Sequence, residues 1–181
     1  MRYFSVILVF ILAPLVALAA DSFNSPPIAL PQIILEGDDG SYANGKRWDS
    51  SILLGKITLL VYFDPDKRES GKIFMPTLEA FERDLDFSTF QTILIVNLKA
   101  TLIPGFLVRG AIKSQAKDHP TRSYIFDGNS VLVRTWALHD NEYNTLVINE
   151  EGRVIYRHSG EWEEGEIIVM DSIIRSHVKR N

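Results

Sequence analysis

Two stretches of the chain carry nearly unbroken apolar side chains, residues 57–63 (ITLLVYF) and 90–98 (FQTILIVNL). A short β-branched run with no polar face predicts a strand covered on both sides, the position of a central strand in a sheet. Between them the period changes. Phe74, Leu78, Phe81 and Leu85 recur at helical spacing and predict a helix over residues 71–85. Pro76 should kink it, because its ring displaces a backbone hydrogen bond. Residues 104–117 predict a second helix with proline near its first turn, and residues 123–126 a third, short strand. Residues 129–138 fit either state: Val131 and Val133 suit a strand, whereas a Ser130 cap would start a helix packing Leu132 and Trp136 at i, i+4. Residues 144–149 (NTLVIN) and 153–158 (RVIYRH) flank Glu150-Glu151-Gly152 and predict a hairpin. Residues 162–178 predict a closing helix, acidic at its start and basic at its end as the helix dipole favours. Ile167, Met170, Ile173, Ile174 and Val178 would face the sheet. Strands alternating with helices, then a hairpin and a helix, indicate an α/β sandwich: a central mixed β-sheet flanked by helices.

Ahead of the first central strand the chain is less regular. Residues 21–31 (DSFNSPPIALP) are proline-rich and should lie extended on the surface. Residues 32–35 predict a short strand, residues 37–45 turns, and residues 48–56 a short helical turn closed by Gly55. The first twenty residues, MRYFSVILVFILAPLVALAA, are different in kind. Arg2 precedes an apolar run, and Ala17-Leu18-Ala19 fits the small-residue cleavage pattern. Residues 1–20 are therefore expected to be a secretory signal peptide, cleaved after Ala19 or Ala20. An uncleaved anchor is the competing reading; the run is short for a span of ~20 residues and Pro14 interrupts it. Residues 32–181 remain as one domain, long enough for a sizeable core.

Composition narrows the function classes. Hydrophobic residues make up 46% and charged residues 23%, a globular balance rather than a disordered one. The net charge is −4, or −5 once Arg2 leaves with the first twenty residues. Beyond Lys179-Arg180 there is no basic run, so no nucleic-acid partner is expected. The chain has no cysteine. An exported protein has disulfides available to it; here stability must come from packing, and thiol chemistry is excluded for want of the atom.

The stretch with the richest chemistry is the turn after the first central strand, Asp64-Pro65-Asp66-Lys67-Arg68-Glu69. It follows the carboxyl end of a central strand, where open α/β sheets bind ligands. Arg68, with a helix N-terminus near Ser70, would suit an anion. Asp64, Asp66 and Glu69 would supply hard oxygen ligands to a divalent cation. The competing reading is a solvated loop whose charges cap the helix and neutralise one another. His119, His139, His158 and His177 show no zinc spacing, and there is no G-x-S-x-G, Walker or dinucleotide motif. No catalytic residue and no cofactor is assigned. Arg109 and Lys113, i and i+4, would lie on a solvated helix face.

The spacing within this region resembles the thioredoxin-like superfamily, in which a central strand ends in an aromatic and a proline follows thirteen positions later in the helix. Phe63 and Pro76 stand thirteen apart. On that frame the two cysteines of the redox motif fall at Arg68 and Gly71, giving Arg68-Glu69-Ser70-Gly71. The second hallmark, a cis-proline before the third core strand, falls at Asn144, where a trans peptide is expected because a non-proline cis bond costs about 2.5–4 kcal/mol. Phe126-Asp127-Gly128-Asn129 followed by a short apolar segment resembles the exported thioredoxin-like and peroxiredoxin-like branches, in which that following segment is usually helical; the resemblance favours helix for residues 129–138. More narrowly, Trp48…Leu54-Gly55-Lys56, Ile95-Val96-Asn97, Ile103-Pro104-Gly105, Trp136-Ala137-Leu138 and Glu151-Gly152-Arg153-Val154 occur in the order of the YtfJ-like family of bacterial periplasmic proteins. The resemblance implies a periplasmic thioredoxin-like fold and no particular reaction. By analogy with that fold, the expected function is an exported binding or interaction module. It would dock an unknown periplasmic protein or peptide through Arg68, Glu69, Ser70, Gly71, Tyr143 and Asn144, with Trp48 and Trp136 as candidate rims of the groove. No membrane association is expected after cleavage. The alternative is an enzyme using non-thiol, metal-dependent chemistry at the turn from Asp64 to Gly71.

Overall fold

The structure is a computed structural model and describes residues 27–178. The expected signal peptide, most of the proline-rich segment and the basic tail lie outside the described residues. Nine strands are described: β1 (Ile28–Ala29), β2 (Ile34–Leu35), β3 (Gly40–Tyr42), β4 (Trp48–Asp49), β5 (Ile57–Phe63), β6 (Phe90–Asn97), β7 (Arg122–Asp127), β8 (Tyr143–Ile148) and β9 (Arg153–Ser159). The helices are α1 (Met75–Asp84), α2 (Gly105–Asp118), α3 (Val131–Trp136) and α4 (Glu164–His177).

The two apolar runs form the middle of the sheet. β5 lies between parallel β6 and antiparallel β8, in a seven-stranded order β1-β9-β8-β5-β6-β7-β3. β6 and β7 are also parallel. Connections between parallel neighbours are right-handed, so the crossovers through α1 and α2 fall on one face. Phe74, Leu78 and Phe81, Val108 and Ile112, and Ile167, Met170 and Ile174 of α4 meet Leu59, Val61, Leu94, Phe126 and Val147 of the sheet there. The other face carries Leu60, Tyr62, Ile93, Ile95 and Ile125. It is covered by Leu132 and Trp136 of α3 and by Leu35, Trp48 and Leu53 of the N-terminal segment. Period-2 alternation along a strand buried on both faces produces these two cores.

Four details differ from the sequence expectation. Residues 65–74 form a 3-10 helix, and α1 begins only at Met75, whose N–H bonds Lys72 O. Pro76 is thus in the first turn of α1, where a missing N–H is harmless, and it opens the α-helix rather than kinking one. α3 is a helix, but Ser130 does not cap it: Ser130 is left-handed at φ 52, and the Asp127 carboxylate accepts the N–H groups of Val131 and Leu132 instead. Residues 40–42, expected as turn, pair with β7 as an edge strand, because a Cβ on Gly40 would strike the Phe126 carbonyl and only glycine permits so close an approach. Ile28 and Ala29 add a short strand to the outer edge of β9.

Candidate functional site

The turn after β5 is drawn into the 3-10 helix. Residues three apart eclipse one another in that geometry, which aligns Glu69 with Lys72. The two form an ion pair, and Arg68 lies 3.5 Å from the same carboxylate. The hydrogen bond from Lys72, above all, holds the Glu69 carboxyl below its ordinary range. All three side chains are exposed, so this cluster contributes little stability. Ser70 is half-buried within the 3-10 helix and does not start a helix. Gly71 is buried, and the Tyr143 ring fills the space that a Cβ would take there.

The three carboxylates expected as cation ligands point to different partners. Asp66 accepts a hydrogen bond from Thr101 at 2.9 Å, Glu69 engages Lys72 and Arg68, and Asp64 turns inward at 1% exposure. Among the described residues no three His, Cys, Asp or Glu side chains are grouped to hold a metal ion. Asp64 is unusual in its own right. Neither carboxylate oxygen has a hydrogen-bond partner of good geometry, and the amide nitrogen of Asn97 is also unpartnered. Burial lifts the Asp64 pKa to about 6. The nearby Asn97 amide and Asn141 N–H oppose the shift, and the charges of Asp140 and Asp66 add to it.

Tyr143 stacks on Phe63 with ring centroids 5.7 Å apart, and burial pushes its phenol upward. Asn144 is buried and saturated. Its amide nitrogen donates to His139 O, and its oxygen accepts from His139 N–H and Ser159 Oγ. The peptide bonds of the described residues are all trans. β8 is paired on both sides, Asn144 with Tyr62 and with Ser159, so its backbone has no free edge for an incoming peptide. Trp48 and Trp136 do not rim a groove. They pack edge to face at 6.1 Å in the core on the opposite side of the sheet, where Trp136 donates to Pro31 O. Arg109 likewise lies over the Phe126 ring, 4.7 Å from its centroid, rather than out in solvent.

A cleft of about 680 Å³ lies between the 3-10 helix and α1 on one side and α2 on the other. Phe63, Leu94, Val96 and Tyr124 form its floor; Met75 and Leu78 face Leu107, Val108, Ala111 and Ile112 across it. Arg68, Glu69, Gly71, Lys72 and Tyr143 line the end at the carboxyl edge of the sheet, and Gln115, His119 and Arg122 line the other. Arg122 is held by a bidentate pairing with Glu82 of α1. Burial works against the charges, but the mutual hydrogen bonds outweigh it and depress the Glu82 carboxyl while raising Arg122. Four expected site residues therefore converge on this cleft: Arg68, Glu69, Gly71 and Tyr143. Ser70 and Asn144 do not line it, nor do Asp64 and Asp66. The helical wall was missed by sequence reasoning. Its signal was present: Leu107 and Ala111, four apart, widen the apolar stripe of α2 beyond Val108 and Ile112, the positions that its own packing buries, and Ile103 lies just ahead of the helix.

Residues 30–177 match the family described as bacterial protein of unknown function (YtfJ_HI0045). The chain belongs to this YtfJ family. It is 30% identical over 161 residues to the uncharacterized protein YtfJ of Escherichia coli (strain K12), covering 85% of this chain and 84% of that protein. Among solved structures it is similar to the exposed lipoprotein thioredoxin Etrx1 of Streptococcus pneumoniae strain TIGR4 (TM-score 0.55, 15% identity, 79% of this chain and 99% of that one). A cysteine mutant of peroxiredoxin Q from Xanthomonas campestris gives a TM-score of 0.53 at 12% identity, over 76% of this chain and 90% of that one. At such identity the likeness establishes the fold, and the fold of this YtfJ family member is thioredoxin-like.

Proposed function

We propose that this YtfJ family member is an exported periplasmic binding protein that works without thiol redox chemistry and takes its ligand in the cleft between α1 and α2. The observation that carries the proposal is the cleft itself. Its volume falls in the range of small-molecule sites, about 300–1,000 Å³, and its apolar walls with a few polar groups at the ends match their usual composition. The replacement of both redox-motif positions by Arg68 and Gly71 supports a non-redox role, as does the absence of cysteine from the sequence. The apolar run ahead of Ala17-Leu18-Ala19 supports export.

One experiment tests location and binding together. When the full chain is expressed in bacteria, protein recovered from osmotic-shock fluid should begin at Ala20 or Asp21. That protein should bind the neutral dye Nile red saturably, one dye per chain, and Ala111→Trp should abolish the enhanced fluorescence. Ala111 lies exposed on α2, so the indole fills the cleft without entering the core. Retention of the intact N-terminus in the membrane fraction would overturn export. Equal dye binding by the variant would overturn the cleft as the site.

A further inference from the structure

We infer that the cleft binds a single-chain amphiphile with an anionic head, of the fatty-acid type, with the head at Arg68 and Lys72 and the hydrocarbon chain lying along β6 toward Gln115. This rests on the proposed binding function and specifies its ligand.

Three features of the site define this ligand. The first is hydrogen bonding. A peptide in the cleft would bury its backbone N–H and C=O groups, and these need partners. The floor strands β5, β6 and β7 are each paired on both sides, so no strand edge is available. A hydrocarbon chain makes no such demand. The second is shape. The site is long and narrow: α2 rises about 18 Å between Leu107 and His119, and both residues line the cleft. The third is charge. At the carboxyl edge of the sheet two cations, Arg68 and Lys72, line the cleft with one carboxylate, Glu69, while Asp66 of the same 3-10 helix is engaged by Thr101 and stays outside the lining. At the opposite end Arg122 is neutralised by Glu82, so the head belongs at the Arg68 end.

The route in is visible beside that mouth. Leu102 is fully exposed and Phe106 is 73% exposed, next in sequence to Ile103 and Leu107 of the lining. Exposed apolar side chains grouped in this way mark interaction surfaces. This lip connects solvent to the apolar wall, so that a hydrocarbon tail leaves water in steps.

Delipidated protein loaded with Nile red is titrated with palmitate, and separately with cetyl alcohol, which carries the same chain without the charge. Palmitate should displace the dye with one-to-one stoichiometry. Charge-assisted hydrogen bonds to the head should make it at least about tenfold tighter than the alcohol. Arg68→Ser with Lys72→Ser should remove that advantage and leave the alcohol unchanged. Ala111→Trp, or Leu107→Trp should the first variant lose its native melting transition, should abolish displacement. If palmitate does not displace the dye, or the double serine variant binds it as tightly as the wild type, the amphiphile assignment is wrong. Should the dye meanwhile remain sensitive to Ala111→Trp, the binding function stands and only its ligand class falls.

Discussion

A Cβ added to Gly71 would stand 2.5 Å from the ring and hydroxyl of Tyr143, a separation that no relaxed packing tolerates. By its spacing from Phe63, Gly71 is where the thioredoxin-like resemblance would put the second cysteine. The space a cysteine would need there is filled by a tyrosine, which in turn stacks on Phe63. Gly71→Ala should therefore destabilise the protein by about 1–3 kcal/mol through overpacking. Combining it with Tyr143→Leu should cost less than the sum of the two single changes, because both act on the same contact. Thermal melts of the four proteins measure the coupling, and strict additivity would show that Tyr143 yields freely. The same crowding predicts that a cysteine placed at position 71 disturbs packing, whatever stands at position 68. Asn144 makes a parallel case. Expected from the resemblance at the position of the cis-proline, it uses its amide to tie residues 139 and 142 to the sheet, a structural use that occupies the groups a ligand would need.

Among the elements, α3 depends on a residue outside itself. Asp127, at the end of β7, accepts the N–H groups of Asn129, Val131 and Leu132 and the hydroxyl of buried Tyr62. Asp127→Ala removes a cap and strands a buried hydroxyl, so a loss of about 2–4 kcal/mol is expected. Amide exchange across residues 131–136 should accelerate in this variant, and unchanged protection would refute the role given to Asp127. This cap illustrates what the sequence could and could not disclose. The central strands, the hairpin and the closing helix were legible, because burial on both faces or on one imposes its period directly on the chain. The cap was not, because Ser130 is the better local candidate and the choice fell to a carboxylate placed by tertiary structure. Pro76 was misplaced for a related reason: the helical stripe Phe74, Leu78, Phe81 continues across a change from 3-10 to α geometry that the apolar pattern does not register. At the site, the charged turn drew attention through its residue types. The cleft wall on α2 is aliphatic and reads in sequence like any core-facing stripe; only the exposure of Leu107 and Ala111 in the fold shows that it lacks a partner.

For the molecule as a whole, two inward-facing carboxyls shifted in opposite directions, Glu82 and Asp64, bear on the dependence of stability on pH. Glu82 and Arg122 join α1 to β7 at the far end of the cleft. The folded pKa of Glu82 is below its ordinary 4.5, so the pair stabilises fully above pH 4.5 and is lost as pH falls through the folded value. Asp64 acts in the reverse direction. Its pKa rises from 3.8 unfolded to about 6 folded, so folding carries no penalty below pH 3.8. The penalty grows between these values and levels off above about pH 6 at roughly 3 kcal/mol. Stability should therefore fall on the acid side through Glu82 and decline from pH 4 to pH 7 through Asp64. Melting temperatures from pH 3 to pH 9 measure both arms. Asp64→Asn should remove the decline toward neutral pH and raise the melting temperature at pH 8 while leaving it nearly unchanged at pH 4. Glu82→Gln should lower the melting temperature at pH 7 by leaving Arg122 buried and unpaired, a loss of about 3–5 kcal/mol, and flatten the acid arm. A wild-type profile flat from pH 4 to pH 7 would mean that Asp64 is solvated in solution. In that case the carboxyl edge of the sheet beside Asn97 is open to water rather than closed over a buried acid, and Asp64→Asn would change the melting temperature at neither pH.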